Sequence, residues 1–274
     1  MPVRRRGPPE LHTNQWRATR DALHSYAQVA GAIRAALSPP EKHWYHVSLR
    51  ATAGGLTTTP VATAGSTFEI TLELASCQWV IGTNAGMRWQ IPLLGQSARE
   101  LLNATASVLG SALNRHKIDS SQLSAKPARN FDPDAARRYG QVLAWVDTQL
   151  KAFKAGQRGE TSPVQLWPHH FDIAVLVFSG RKIPGTDPRD PEMSDEQMNF
   201  GFVPGDEAIR EAYFYATAYP GPKHRRRPQL PKGAHWHTRG WEGAVMPYAA
   251  LVRAGHPERK LLMFLRAFRG WGNF

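Results

Sequence analysis

Cysteine is almost absent from this chain: Cys77 is the only one in 274 residues. An internal disulfide is therefore excluded, and so are zinc sites built from several thiolates. Cys77 sits in the apolar stretch Leu74 to Val80, which makes it a small buried hydrophobe rather than a nucleophile. Long apolar runs are missing too. No stretch approaches the ~18 residues that a membrane span needs, so no membrane partner is expected. Arg4, Arg5 and Arg6 are not followed by an apolar core, so the first residues do not read as a secretion signal. A soluble, cytoplasmic protein is expected. No glycine-rich phosphate loop opens a helix, and neither a Gly-x-Ser-x-Gly elbow nor a His-Glu-x-x-His run occurs. These gaps argue against P-loop nucleotide hydrolysis, α/β-hydrolase chemistry and zincin proteolysis.

Acidic residues are the minority. Asp and Glu number 22 against 34 Lys and Arg, for a net charge of +12. That balance favours an anionic partner: a small anionic molecule, nucleic acid or an acidic protein. Most arginines are dispersed, as on an ordinary solvated surface. The one dense run, Lys223-His224-Arg225-Arg226-Arg227, lies in a proline-rich segment and reads as a surface loop that nucleic acid could use. Arg137, Arg138, Arg266 and Arg269 are further basic candidates for that role.

What is present is enough for a core, with 42% hydrophobic residues and nine tryptophans. Apolar residues at Trp16, Leu23, Tyr26, Ala27, Ala30, Ile33 and Leu37 keep a helical period, stopped by Ser38-Pro39-Pro40. His43 to Ala53 reads as a strand. Phe68 to Leu74 alternates as a half-buried strand should, and Trp79 to Gly82 and Met87 to Leu93 follow around a turn at Asn84-Ala85-Gly86. Ser97 is a candidate N-cap for a helix through Leu113. After a polar stretch, Tyr139 to Phe153 predicts another helix. Val164 to Gly180, Met198 to Phe202, Ala212 to Tyr219 and Ala234 to Val245 read as strands, and Leu261 to Trp271 as a last helix. The expected class is α+β with a mainly antiparallel sheet flanked by helices, because short turns join the strands. The segments are a disordered basic tail (1–13), a first half (14–115), a linker (116–133) and a second half (134–274), packed as one body. Ser38-Pro39 with Trp44 and His46 matches Ser162-Pro163 with Trp167 and His169/His170, which suggests a pseudo-symmetric duplication of a helix–strands–helix unit.

Four segments carry a resemblance. They are Trp167-Pro168-His169-His170-Phe171-Asp172, Met198-Asn199-Phe200-Gly201-Phe202, Phe214 to Pro220, and Trp236-His237-Thr238-Arg239-Gly240-Trp241 running on to Tyr248. With Trp16-Arg17, His43-Trp44 and Gly55 to Thr58, they resemble a bacterial family known only as a domain of unknown function. The resemblance covers nearly all of the chain after residue 14. It implies no activity, substrate or cofactor.

The residues themselves suggest two constellations. On a strand, His170 and Asp172 would share a face, and with His237 they would form the two-histidine, one-carboxylate set that holds a divalent metal such as iron or zinc. Asp172 could equally be an ordinary hydrogen-bonded carboxylate at a strand start. The second constellation runs from His235 to Glu242. Trp236 and Trp241 would wall a pocket, His237 would be a general base oriented by Glu242, and Arg239 would neutralise an anionic substrate. Trp236 and Trp241 could instead be core plugs. Asn199, polar in an apolar strand, and Tyr215 are candidate ligand contacts, and His43, His46 and Arg50 are their counterparts in the first half. Two functions fit: a small-molecule enzyme or ligand-binding domain, and a basic nucleic-acid or acidic-partner binding module without catalysis.

Overall fold

The computed structural model describes residues 7–11, 13–114, 116–190, 192–222 and 226–271. Arg4 to Arg6 and Lys223 to Arg225, on which the basic tail and most of the basic loop rest, lie outside the described residues. The chain divides into two compact units. The first comprises Leu11–Ala144 with Gln165–Phe171, so the polar stretch 116–133 lies inside it; the second comprises Met1–Glu10, Trp145–Val164 and Asp172–Phe274.

In the first unit, α1 (Thr13–Leu37) buries Trp16, Leu23, Tyr26, Ala27, Ala30 and Ile33, the stripe expected from their spacing. A 3-10 segment (Lys42–Val47) follows. The strands are β1 (Arg50–Ala51), β2 (Gly55–Thr57), β3 (Val61–Thr63), β4 (Ser66–Glu73), β5 (Gln78–Thr83) and β6 (Arg88–Pro92). They pair antiparallel in the order β1-β2-β4-β5-β6, with β3 also on β4. On β4 the alternation holds: Phe68, Ile70 and Leu72 are buried and their neighbours are not. Helix α2 (Ala98–Leu109) opens on a complete capping box, in which Ser97 and Glu100 each satisfy the other's backbone N–H. A short α3 (Ser111–Asn114) succeeds it. Helix α4 (Pro133–Ala155) begins in this unit and ends in the second, and β7 (Gln165–Trp167) returns to the first.

The second unit is built on β8 (Asp172–Lys182), β9 (Asp195–Val203), β10 (Tyr213–Tyr219), β11 (His235–His237) and β12 (Gly243–Pro247), all antiparallel in the order β11-β12-β10-β9-β8. Helices α5 (Tyr248–Val252) and α6 (Pro257–Arg269) complete it. One sheet face is aromatic and meets helices. Phe200 touches Phe153 and Phe268, Phe214 touches Trp145 and Tyr248, and Trp236 packs on Phe268 and Trp271. The two-residue period sends Asp172, Asn199, Gly201, Tyr213, Tyr215 and Gly243 to the opposite face. Both sheets being antiparallel, the α+β class is as expected.

Three expected strands are interrupted. His43 and Trp44 adopt left-handed φ values of 54° and 57°, which break a strand, so in that region pairing begins only at Leu49, which bridges Leu166, and continues through Arg50–Ala51. Val164 to Gly180 is broken at Pro168–Phe171, where the chain turns through Phe171 at φ 56°. Ala234 to Val245 is a hairpin, with Thr238–Glu242 looping between β11 and β12. Trp44 and His46 therefore do not share the strand conformation of Trp167, and the residue match that suggested a duplication does not extend to backbone structure.

Candidate functional site

The face of the second unit's sheet turned from the helices carries a connected polar cluster. Tyr215 Oη donates to Asp172 Oδ2 at 2.5 Å, and both residues are buried. The reason the ring can lie there is Gly201, its cross-strand partner on β9. A Cβ at Gly201 would fall 2.6 Å from the Tyr215 ring and 2.7 Å from Ala174 Cβ. Burial first, and then the Asp172 charge, push the Tyr215 phenol well above its ordinary range. It keeps its proton and acts as a donor. Tyr213 repeats the pattern, donating to Asp206 Oδ2 at 2.7 Å.

Asn199, on β9 beside this pair, acts on the Tyr215 hydroxyl in the sense of a donor, easing its phenol slightly downward. Because that hydroxyl spends its proton on Asp172, its oxygen can only accept, so the Asn199 NH₂ must face it. The amide oxygen is thereby turned away, and Asn199 Oδ1 is buried with no hydrogen-bond partner. Two residues earlier on the same face, Gln197 Oε1 is also buried and unpartnered. An orphaned acceptor costs about 1–3 kcal/mol, and here two stand on one face of one strand.

The cluster runs out to a half-buried rim. The ring of His237 lies 4.4 Å from that of Trp241, which meets Tyr215 edge-on at 6.3 Å. Gly243 makes room, since a Cβ there would be 2.6 Å from Trp241 Cζ3. His237 Nε2 is 2.7 Å from the Arg239 carbonyl oxygen. A carbonyl only accepts, so Nε2 carries the proton and Nδ1 is the basic nitrogen. Glu242 accepts from Arg227 at 2.6 and 3.0 Å, and this ion pair takes the place of the expected Glu242–His237 contact. Arg227 also lies over Trp236, whose ring faces α6 and whose Nε1 is 3.4 Å from the Pro228 carbonyl oxygen. Asn199, Tyr215, Trp241 and His237 thus line one face together, while Trp236 sits on the other.

The metal triad expected from the sequence is not assembled. Among the described residues, no group of three or more His, Cys, Asp or Glu side chains could hold a metal ion. His170 is exposed in the Pro168–Phe171 turn, so the shared strand face with Asp172 does not exist. Several basic candidates are likewise occupied: Arg137 by Asp134 and the Ala75 carbonyl, Arg138 by Asp132 at 3.6 Å, and Arg269 by Gln157 at 3.1 Å.

The turn of the first unit carries its own cluster. His24 Nε2 is 3.2 Å from the His169 carbonyl oxygen, its ring stacks on Phe171, and the His169 and His170 rings are 4.4 Å apart. Burial, then the neighbouring imidazoles of His170 and His24, lower His169 to about 4, although its outer edge reaches solvent. Burial also lowers His24, against Asp21 and backbone contacts that raise it and Arg20 that lowers it. The unfolded chain then binds protons that the folded chain refuses. Stability is full above the unbound value of 6.5 and falls as pH drops toward 4. A thermal unfolding series from pH 7.5 to 4 should show this decline, flattened in His169→Asn; an unchanged slope would assign the decline to other groups.

Comparison with known proteins finds one family: a model described as "Family of unknown function (DUF5996)" matches residues 8–269. No curated protein and no solved structure matches the chain.

Proposed function

This chain belongs to the DUF5996 family, a family of unknown function, and from the site's geometry we propose that its second unit binds a small molecule on the polar sheet face. The observation that carries this reading is the pair of buried, unpartnered oxygens at Asn199 and Gln197. The occupant presents N–H or O–H donors to these oxygens. Trp241 and His237 supply an aromatic wall. Arg239, exposed next to them, supplies charge for an anionic end of the ligand. If the bound molecule reacts, His237 Nδ1 takes a proton from it and Tyr215 stays a donor, since its phenol is held protonated. The single buried cysteine suits the reducing cytoplasm in which we place the protein.

Thermal-shift screening of polar metabolites tests the reading, with Asn199→Leu as the control. Compounds that stabilise the wild type should lose that effect in Asn199→Leu. Equal stabilisation of both proteins would contradict binding at this face.

A further inference from the structure

Two prolines ahead of α1 are held by the second unit. Residues 7–10 belong to that unit, and among them Pro8 is buried while Gly7 is exposed and Pro9 half-buried. Proline has no N–H, so Pro8-Pro9 cannot donate to a sheet; it offers its rings and its carbonyls. One carbonyl is taken. The Tyr248 hydroxyl donates to the Pro9 carbonyl oxygen at 2.8 Å.

Tyr248 is well fixed to present that donor. It opens α5, and its backbone N–H donates to the Ala212 carbonyl at 2.8 Å, next to the start of β10. Its ring is buried and meets Phe202 at 5.4 Å and Trp145 at 6.1 Å, both edge-on. Among the described residues, Pro9 supplies the only partner of the hydroxyl. Burial raises the phenol above its ordinary range, so it keeps its proton and stays a donor. Trp145 is itself only half-buried. Aromatic rings that carry a fixed donor and meet a proline carbonyl are the chemistry by which proline-rich segments are recognised. Their stiff, extended backbone loses little freedom on binding.

We propose that the aromatic site at Tyr248 and Trp145 binds proline-rich peptide segments, and that Gly7-Pro8-Pro9 fills it as the chain's own occupant. The site lies on the helix side of the second unit's sheet and does not depend on the reading of the polar face. Because the internal occupant is tethered, it competes at an effective concentration in about the millimolar range. A proline-rich partner gains the site when that segment lets go.

Fluorescence anisotropy with a dye-labelled peptide carrying the sequence Gly-Pro-Pro-Glu tests this on the full chain. The double variant Pro8→Gly with Pro9→Gly vacates the site. Saturable binding to that variant is expected, and about tenfold weaker binding to the wild type, whose own segment competes. Adding Tyr248→Phe to the variant should weaken the peptide about fivefold, the effect of one hydrogen bond. A peptide with both prolines replaced by alanine should not bind. Circular dichroism checks that each variant is folded; if the double variant is not, Pro8→Ala takes its place in the same titration. No saturable binding to the folded variant would overturn the proposal. So would equal binding to wild type and variant, an affinity untouched by Tyr248→Phe, or equal binding of the alanine peptide.

Discussion

Gly201→Ala is expected to destabilise the second unit by about 3 kcal/mol, the upper end of the overpacking range. The new methyl would meet two obstacles that cannot both yield. Ala174 Cβ, 2.7 Å away, is fixed to the backbone of β8, and the Tyr215 ring, 2.6 Å away, is tethered through its hydroxyl to Asp172. The urea midpoint of the variant reads the loss. Truncating the ring as well, in Gly201→Ala with Tyr215→Ala, should cost less than the sum of the two single changes, because the clash is shared. A loss under about 1 kcal/mol for the single variant would mean that the ring is not pinned over the glycine.

Phe268→Ala is expected to cost about 3–5 kcal/mol. Phe268 is fully buried on α6 and touches Phe200, Trp236 and Trp271. The change opens a cavity under β11 as well as loosening the helix. Near-ultraviolet circular dichroism should lose tryptophan signal together with stability. A variant as stable as the wild type would contradict the packing described for this face.

The core and the sheets were largely legible in the sequence, since burial imposes periods that survive in residue order. The stripe from Trp16 to Ile33 and the alternation along β4 are examples. The failures share a cause. His43-Trp44-Tyr45-His46-Val47 has the aromatic composition of a strand, yet two of its residues sit in the left-handed region. Nothing in the identity of a histidine or a tryptophan announces that conformation, which tertiary contacts such as the Arg34–His46 bond hold in place. The proposed metal set failed through the same kind of event, a turn at Phe171 that undid the face relation of His170 and Asp172.

The candidate site was partly legible. Asn199 stands out as an amide in an apolar strand, and it lies on the face of Tyr215. Gln165, within Val164-Gln165-Leu166-Trp167, carries the same signature, but the histidines that follow it are more conspicuous. Arg34 follows Ala30 by four residues, on the buried stripe of α1, but a basic residue in a last helical turn is ordinary enough to hide it. The Arg227–Glu242 pair could not be foreseen, because it depends on how a loop returns to β12.

The most direct test of the ligand-binding reading is the equilibrium unfolding of Asn199→Leu in the absence of any ligand. An amide kept for a ligand leaves its oxygen unsatisfied in the empty protein, at a cost of about 1–3 kcal/mol that leucine removes. The variant gives up the amide's contact with the Tyr215 hydroxyl, worth no more than about 1 kcal/mol net. Stability equal to or above that of the wild type is therefore predicted. A loss of about 2 kcal/mol or more would show that Asn199 serves the fold rather than a ligand.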